Sequence, residues 1–354
     1  MQAWAWHAAS GPMLSNRRLN YRQAFGFAMY IMVPAGLYAG FIFALHIFAG
    51  FHLLRIPFLP VATIGTAVAF YVGFKNNASY DRFWEGRKIW GGIVNASRTW
   101  SASVIAFVNP EHHDEATKEL RRDLIYRHMA WMNALRVQLR ATSRFFDKPA
   151  KATKRRLERH AEHMRNDWDT ELEPFLDAHE RELIKPMANG ATQLLKIQGE
   201  KLAHLVSQGQ LDLFRQLRLM EVIEELYALQ GKAERIKATP FPRTYAEYSR
   251  LFVRVFAALI PLGMLDVFAD KLGETAGALE IIVTGFPMVV ASALVTWVFW
   301  VMEGLGDATE DPFERSFSDV PMNALCRVIE RDLREMLGET EIPDKERAID
   351  GVLY

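Results

Sequence analysis

Two uncharged stretches lie near the start of the chain. From Gln23 to Leu54 there is no Asp, Glu, Lys or Arg, and from Ile56 to Phe74 there is none again, with Arg55 alone between them. About 20 apolar residues cross a bilayer as a helix. The pattern therefore predicts a hairpin of two spans whose reversal is marked by Arg55, Pro57 and Pro60. The first run is too long for a secretory signal and has no small-residue cleavage pattern. Ile281–Met302 is another uncharged span, ending at Glu303. Val255–Leu265 is short and reaches span length only when extended back through Arg254, Arg250 and Glu247. It reads as a span whose arginines lie near headgroups or face protein. Four spans place both termini on one side.

Between these ends, from Lys75 to about Pro240, charged residues occur on nearly every turn and apolar residues recur at three and four spacing. Leu120, Leu124, Ile125 and His128 form one such face, Leu194, Leu195, Leu202 and Leu205 a second, and Leu217, Met220, Ile223 and Leu226 a third. No alternating run argues for a sheet. Asn109-Pro110-Glu111 reads as a helix start, and Lys148-Pro149, Lys185-Pro186 and Gly209 read as further punctuation. The prediction is an all-α integral membrane protein with four transmembrane helices and a large helical domain. Its segments are 1–22 at the N-terminus, 23–75 holding the first two spans, 76–240 the helical domain, 241–303 the last two spans, and 304–354 a C-terminal segment packing on the helical domain.

Composition changes this picture little, because it averages over two solvents. Of 354 residues, 42 are Lys or Arg and 42 Asp or Glu, and mean hydropathy is near zero. Balanced charge offers no bulk attraction to nucleic acid. The single cysteine, Cys326, excludes an intrachain disulfide and any CxxC motif. Flanking charge sets orientation. Arg17, Arg18 and Arg22 precede the first span, and Lys75, Arg82, Arg87 and Lys88 follow the second. The loop between the last two spans carries Asp266, Asp270, Glu274 and Glu280 against only Lys271. The termini and the helical domain are thus expected inside the cell.

No catalytic constellation stands out, and none of the usual cofactor motifs is complete. There is no GxSxG elbow, and Gly231-Lys232 is followed by Ala233 without the upstream glycine of a P-loop. Gly304-Leu305-Gly306 follows a span, not a strand, and is expected to supply flexibility. His160 with His163, and His112-His113 beside Glu111, Asp114 and Glu115, are chance pairs typical of charged helices before they are zinc ligands. Cys326, among Leu325, Val328 and Ile329, reads as a small buried hydrophobe. His46 lies within a span, where an ionisable group is a functional candidate, although a neutral imidazole bonded to a neighbouring helix explains it more simply. The expectation is a protein that is not an enzyme and needs no cofactor.

The dense segment after the second span runs Asn76-Asn77-Ala78-Ser79-Tyr80-Asp81-Arg82-Phe83-Trp84-Glu85-Gly86-Arg87-Lys88-Ile89-Trp90-Gly91. On a helix Tyr80, Trp84, Arg87 and Gly91 form one stripe, and Asp81, Glu85 and Lys88 another. A membrane-interface belt uses such aromatics, but this mixture of amides, carboxylates and guanidinium groups is expected to pack against protein. The segment resembles the signature of the bestrophin family in its bacterial branch. Glu234 to Pro242, Glu310-Asp311-Pro312-Phe313 and Asp319 to Glu330 agree with the same family in its order. Ala233 and Glu314 depart from it, and the first twenty residues match nothing in it.

The resemblance implies a homopentameric channel in the bacterial inner membrane, with one central pore through the membrane and a cytoplasmic funnel. Its partners are other copies of itself, lipids and permeating monovalent ions, with no nucleic acid. The neck positions fall on Ala62, Thr66 and Phe70, whose i,i+4 spacing independently shares a helix face. Phe70 is the expected hydrophobic ring, and the upper neck is wider and wetter than the family norm. A cytoplasmic aperture falls near Ile197. The structural signature is Asn76, Asn77, Tyr80, Asp81, Arg82, Trp84, Glu85, Arg87 and Trp90. No metal site is assigned: Asp307, Glu310 and Asp311, even with Glu303, are fewer than a calcium clasp requires, and these acids are expected to pair with a neighbouring subunit. The acidic outer loop at Asp266, Asp270, Glu274 and Glu280 favours cation conduction (sodium or potassium). A chloride channel is the alternative within the family, and a membrane-anchored helical scaffold is the alternative from another class. A secondary transporter would need broken spans, for which only Pro34 and Gly36 offer a start.

Overall fold

The computed structural model describes residues 21–141, 164–269, 277–313, 319–349 and 353–354. Every regular element among them beyond a 3-10 turn is an α-helix. They are α1 (Tyr21–Phe48), α2 (Phe58–Phe107), α3 (Glu115–Leu139), α4 (Trp168–Leu172), α5 (Ala178–Ile184), α6 (Gly190–Ser207), α7 (Leu213–Ala238), α8 (Arg243–Phe268), α9 (Ala278–Thr309) and α10 (Met322–Met336). Segments within α1, α2, α8 and α9 are long and apolar enough to cross a membrane. The protein is therefore all-α with four membrane-spanning helices and a large helical domain.

The chain divides into two compact units. One holds the described residues up to Arg82 together with Phe241–Glu310, and the other holds those of Phe83–Pro240 and from Asp311 onward. In the first, α1 packs on α9, and α8 packs on both. Without a hydrophobic drive between helices in lipid, close approach depends on small residues. Gly36 and Gly40 on α1 meet Val289 on α9 accordingly. Pro34 sits inside an unbroken α1, so the broken span a transporter needs is not present there. Arg250 lies on α8 and faces protein, reaching Asp307 at 3.1 Å.

The second unit is built around Trp90, Trp100 and Trp131, all fully buried, with Leu124, Ile125, Leu194, Leu202, Ile223, Leu226 and Ile329. Helix α3 packs on α4, α6, α7 and α10. Asp114 starts α3, accepting the Thr117 N–H at 2.9 Å. The expected start at Asn109 is corrected: Asn109 adopts a left-handed φ of 45° just past the end of α2, the role asparagine takes when it ends a helix. Leu217 and Met220 are also corrected, being 55% and 37% exposed while Leu219, Val222 and Ile223 of α7 are buried. Ile223 and Leu226 of the expected face are buried, but the buried stripe takes in Leu219 and Val222 where Leu217 and Met220 were expected. The two histidine pairs fare differently: His112 and His113 are exposed, and His160 and His163 lie outside the described residues. Cys326 is buried, and burial pushes its thiol up to about 11.

Candidate functional site

Helix α2 is 50 residues long, and its first half shows a sharp division of faces. Two columns at seven-residue spacing are exposed: Thr63, Phe70 and Asn77, and Ala67, Phe74 and Asp81. Two opposite columns are buried: Val61, Val68 and Lys75, and Gly65, Val72 and Ser79. A seven-residue column drifts only about 20° per repeat, so each column holds nearly one direction over about four turns.

The buried face is fixed by contacts to α8 and α9. Gly65 lies under the Phe256 ring, where a Cβ would come within 2.5 Å of Cζ, and Phe256 meets Phe299 edge-on with centroids 4.7 Å apart. Gly263 of α8 makes room for Val61, whose side chain would stand 3.1 Å from a Cβ added there. At the Lys75 end, the fully buried ammonium donates to Glu303 Oε1 at 2.5 Å and also to Asp307. Ser249 donates to Glu303, and Arg250 reaches Asp307. Asn76 donates to the Met302 carbonyl at 2.9 Å, and Arg82 to the Glu310 carbonyl at 2.7 Å.

These contacts change several expectations. Glu303 and Asp307 pair within their own chain, with Lys75 and Arg250, where a neighbouring subunit was expected to supply the partners. Two cations at those carboxylates occupy lone pairs that a divalent ion would use. No group of three metal-ligating side chains occurs among the described residues. Gly304 and Gly306 lie inside α9, and Gly306 is a close-approach point for the Asn76 side chain, not the flexible joint expected.

The three expected neck positions lie on the outward half of α2 to different degrees. Phe70 is 65% exposed and Thr66 is exposed, whereas Ala62 is half-buried. An i,i+4 series rotates by about 40° per step, which turns Ala62 away from Phe70 toward the packed side. Phe74, 67% exposed one turn beyond Phe70, was missed. Its aromatic spacing to Phe70 was visible in the sequence, but it read as the end of a span.

The signature residues divide as well. Asn76 and Arg82 hold the helix as described. In the second unit Glu85 pairs with Arg235 at 2.6 Å, Trp90 is fully buried, and Gly86 abuts Phe313. Tyr80, Asp81, Trp84 and Asn77 face outward, and Arg87 is half-buried. Ile197 is half-buried on α6 and packs against the second unit's core, beside the exposed pair Lys196–Glu200 at 3.0 Å.

Of the acids expected between the last two spans, Asp266 lies in the last turn of α8, where it accepts from Arg55 at 2.8 Å and from the Phe58 N–H at 3.0 Å. It fastens the start of α2 and its charge is matched. Glu280 accepts the Gly277 N–H at the start of α9 at 3.3 Å, and Asp270 and Glu274 lie outside the described residues. His46 is buried with no partner for its Nδ1 among the described residues, and its ring meets His52 edge-on at 5.3 Å.

Comparison with known proteins places these features in context. The sequence profile of the family described as Bacterial/Fungal Bestrophin protein matches residues 28–335. A voltage-dependent anion channel-forming protein of Mesorhizobium japonicum is 27% identical over 90% of this chain and 84% of its own length. The voltage-dependent anion channel-forming protein YneE of Escherichia coli K12 is 26% identical over 97% of this chain and 92% of its own. Among solved structures, a bacterial bestrophin homologue from Klebsiella pneumoniae, with zinc used for phasing, superposes with a TM-score of 0.69 at 24% identity, covering 90% of this chain and all (100%) of that one. A single-substitution variant of the Klebsiella protein gives 0.71 at 21% identity, covering 88% and 99%.

Proposed function

The chain belongs to the bacterial and fungal bestrophin family, and from that premise we propose that it is a passive channel for small monovalent ions, formed by five copies around a central pore. The observation that carries this reading is the outward face of α2. It combines Phe70, Thr63 and Thr66 over a back face closely packed on the protein's own helices. A ring of five such helices would present Phe70 as a hydrophobic constriction that gates by dewetting, with the smaller Thr66 and Thr63 above it. Ile197 remains the candidate for a cytoplasmic aperture. The basic flank after α2's span supports a cytoplasmic helical domain and termini.

Anion conduction is favoured over the cation preference expected from the outer loop. The relatives from Mesorhizobium and Escherichia carry anion-channel names. Asp266, one of the acids that argued for cations, is neutralised by Arg55. Uncharged neck rings impose no sign of their own.

Reversal potentials of purified protein in planar bilayers under asymmetric sodium chloride test the reading. A reversal near the chloride potential supports it, one near the sodium potential restores the cation reading, and absence of current favours the scaffold. Phe70→Ala should raise single-channel conductance or open probability. Unchanged values would remove Phe70 from the pore.

A further inference from the structure

The outward columns of α2 do not stop at Phe70. Phe74 follows about 6 Å along the helix axis, and Asn77 and Asp81 follow within the next two turns. All keep the direction of Thr63 and Phe70, because the columns repeat every seven residues while the opposite columns stay buried to Ser79. Asn77 and Asp81 lie past Phe74, where the uncharged run ends, so polar groups at the watery end of the span continue the same side of the helix that carries the two aromatics.

We infer that the ion path continues past Phe70 along Phe74, Asn77 and Asp81, so that Phe74 forms a second aromatic ring and Asp81 a ring of carboxylates at the inner mouth. This rests on the pore reading above and extends it. Two aromatic rings one turn apart make the dewetted stretch longer than one ring would, which lowers conductance and sharpens gating. Five carboxylates at the mouth attract cations and hold back anions, so Asp81 restrains anion flux from that side and is a specificity-determining residue.

Cysteine accessibility tests the path directly. The only native cysteine, Cys326, is buried and its thiol is pushed up to about 11, so it gives little background reaction. Phe70→Cys, Phe74→Cys, Asn77→Cys and Asp81→Cys variants in bilayers would be treated with charged methanethiosulfonate reagents, with Ser79→Cys as the buried control. The expected result is loss of most of the current at positions 70, 74, 77 and 81 and no change at 79. Asp81→Asn should shift the reversal potential toward the chloride potential without altering expression or assembly. If position 70 reacts but 74, 77 and 81 do not, the extended path is wrong while the channel reading stands. If position 70 is also inert while current flows, Phe70 leaves the pore too. Should Phe74→Cys fail to fold, the reactions at 77 and 81 decide the outcome by themselves.

Discussion

Gly65→Ala perturbs the seat of the outward face from behind. The added methyl would stand 2.5 Å from Phe256 Cζ and 2.7 Å from Cε2, against about 3.5–4.0 Å for relaxed carbon contacts. The ring has little room to yield, because it already packs edge-on against Phe299 with centroids 4.7 Å apart. Either α2 or Phe256 must move by roughly 1 Å, and overpacking of that kind costs about 1–3 kcal/mol. At about 2 °C per kcal/mol for a chain of this size, the apparent Tm in detergent should fall by about 2–6 °C. Phe256→Ala alone should cost about 3–5 kcal/mol through the cavity it leaves. The methyl added at position 65 would partly fill that cavity, so the double variant should be less damaged than the sum of the singles by about 1–3 kcal/mol. The assay is thermal unfolding followed by size-exclusion fluorescence. A neutral Gly65→Ala, or strictly additive effects, would refute the claim that this contact fixes the helix.

Further measurements probe the buried polar groups. His128 is buried between Trp100 and Trp131, with its Nε2 on Ser97 Oγ at 2.8 Å, and burial pushes its pKa down to about 3. The unfolded imidazole takes its proton near 6.5 and the folded one near 3, so stability is full above pH 6.5 and should fall by up to about 1.4 kcal/mol per unit below it. Asp123 resists burial through hydrogen bonds from Arg127 and Lys201 that hold its carboxyl low, so it loses its contribution only below about pH 4. A Tm drop between pH 7 and 5 that persists in His128→Asn would count against His128 as its source. Lys75→Met should destabilise by about 3–5 kcal/mol, since it strips the ammonium from buried Glu303. Lys75→Met with Glu303→Gln should recover part of that loss, and no recovery in the double variant's Tm would mean the pair is not the source.

The division of solvents was legible residue by residue. Uncharged runs at Gln23–Leu54, Ile56–Phe74 and Ile281–Met302 report their own medium, because transfer free energy belongs to each side chain. Helix type followed from local spacing, and the signature segment was readable because its residues are consecutive. What spacing alone leaves open is azimuth and partner. Both edges of α7 carry apolar residues, and only packing exposed Leu217 and buried Leu219. On α2 the i,i+4 series 62, 66 and 70 and the seven-residue columns through Phe70 and Phe74 are both acceptable patterns. Contacts from Phe256 and Gly263, about two hundred residues away, decide which side is covered. Partner choice for charges is settled the same way: Lys75 with Glu303 and Asp307, and Arg55 with Asp266, join positions more than two hundred residues apart. A carboxylate's type is written in the sequence, but whether it faces an ion path or an ammonium depends on which distant helix the fold brings against it.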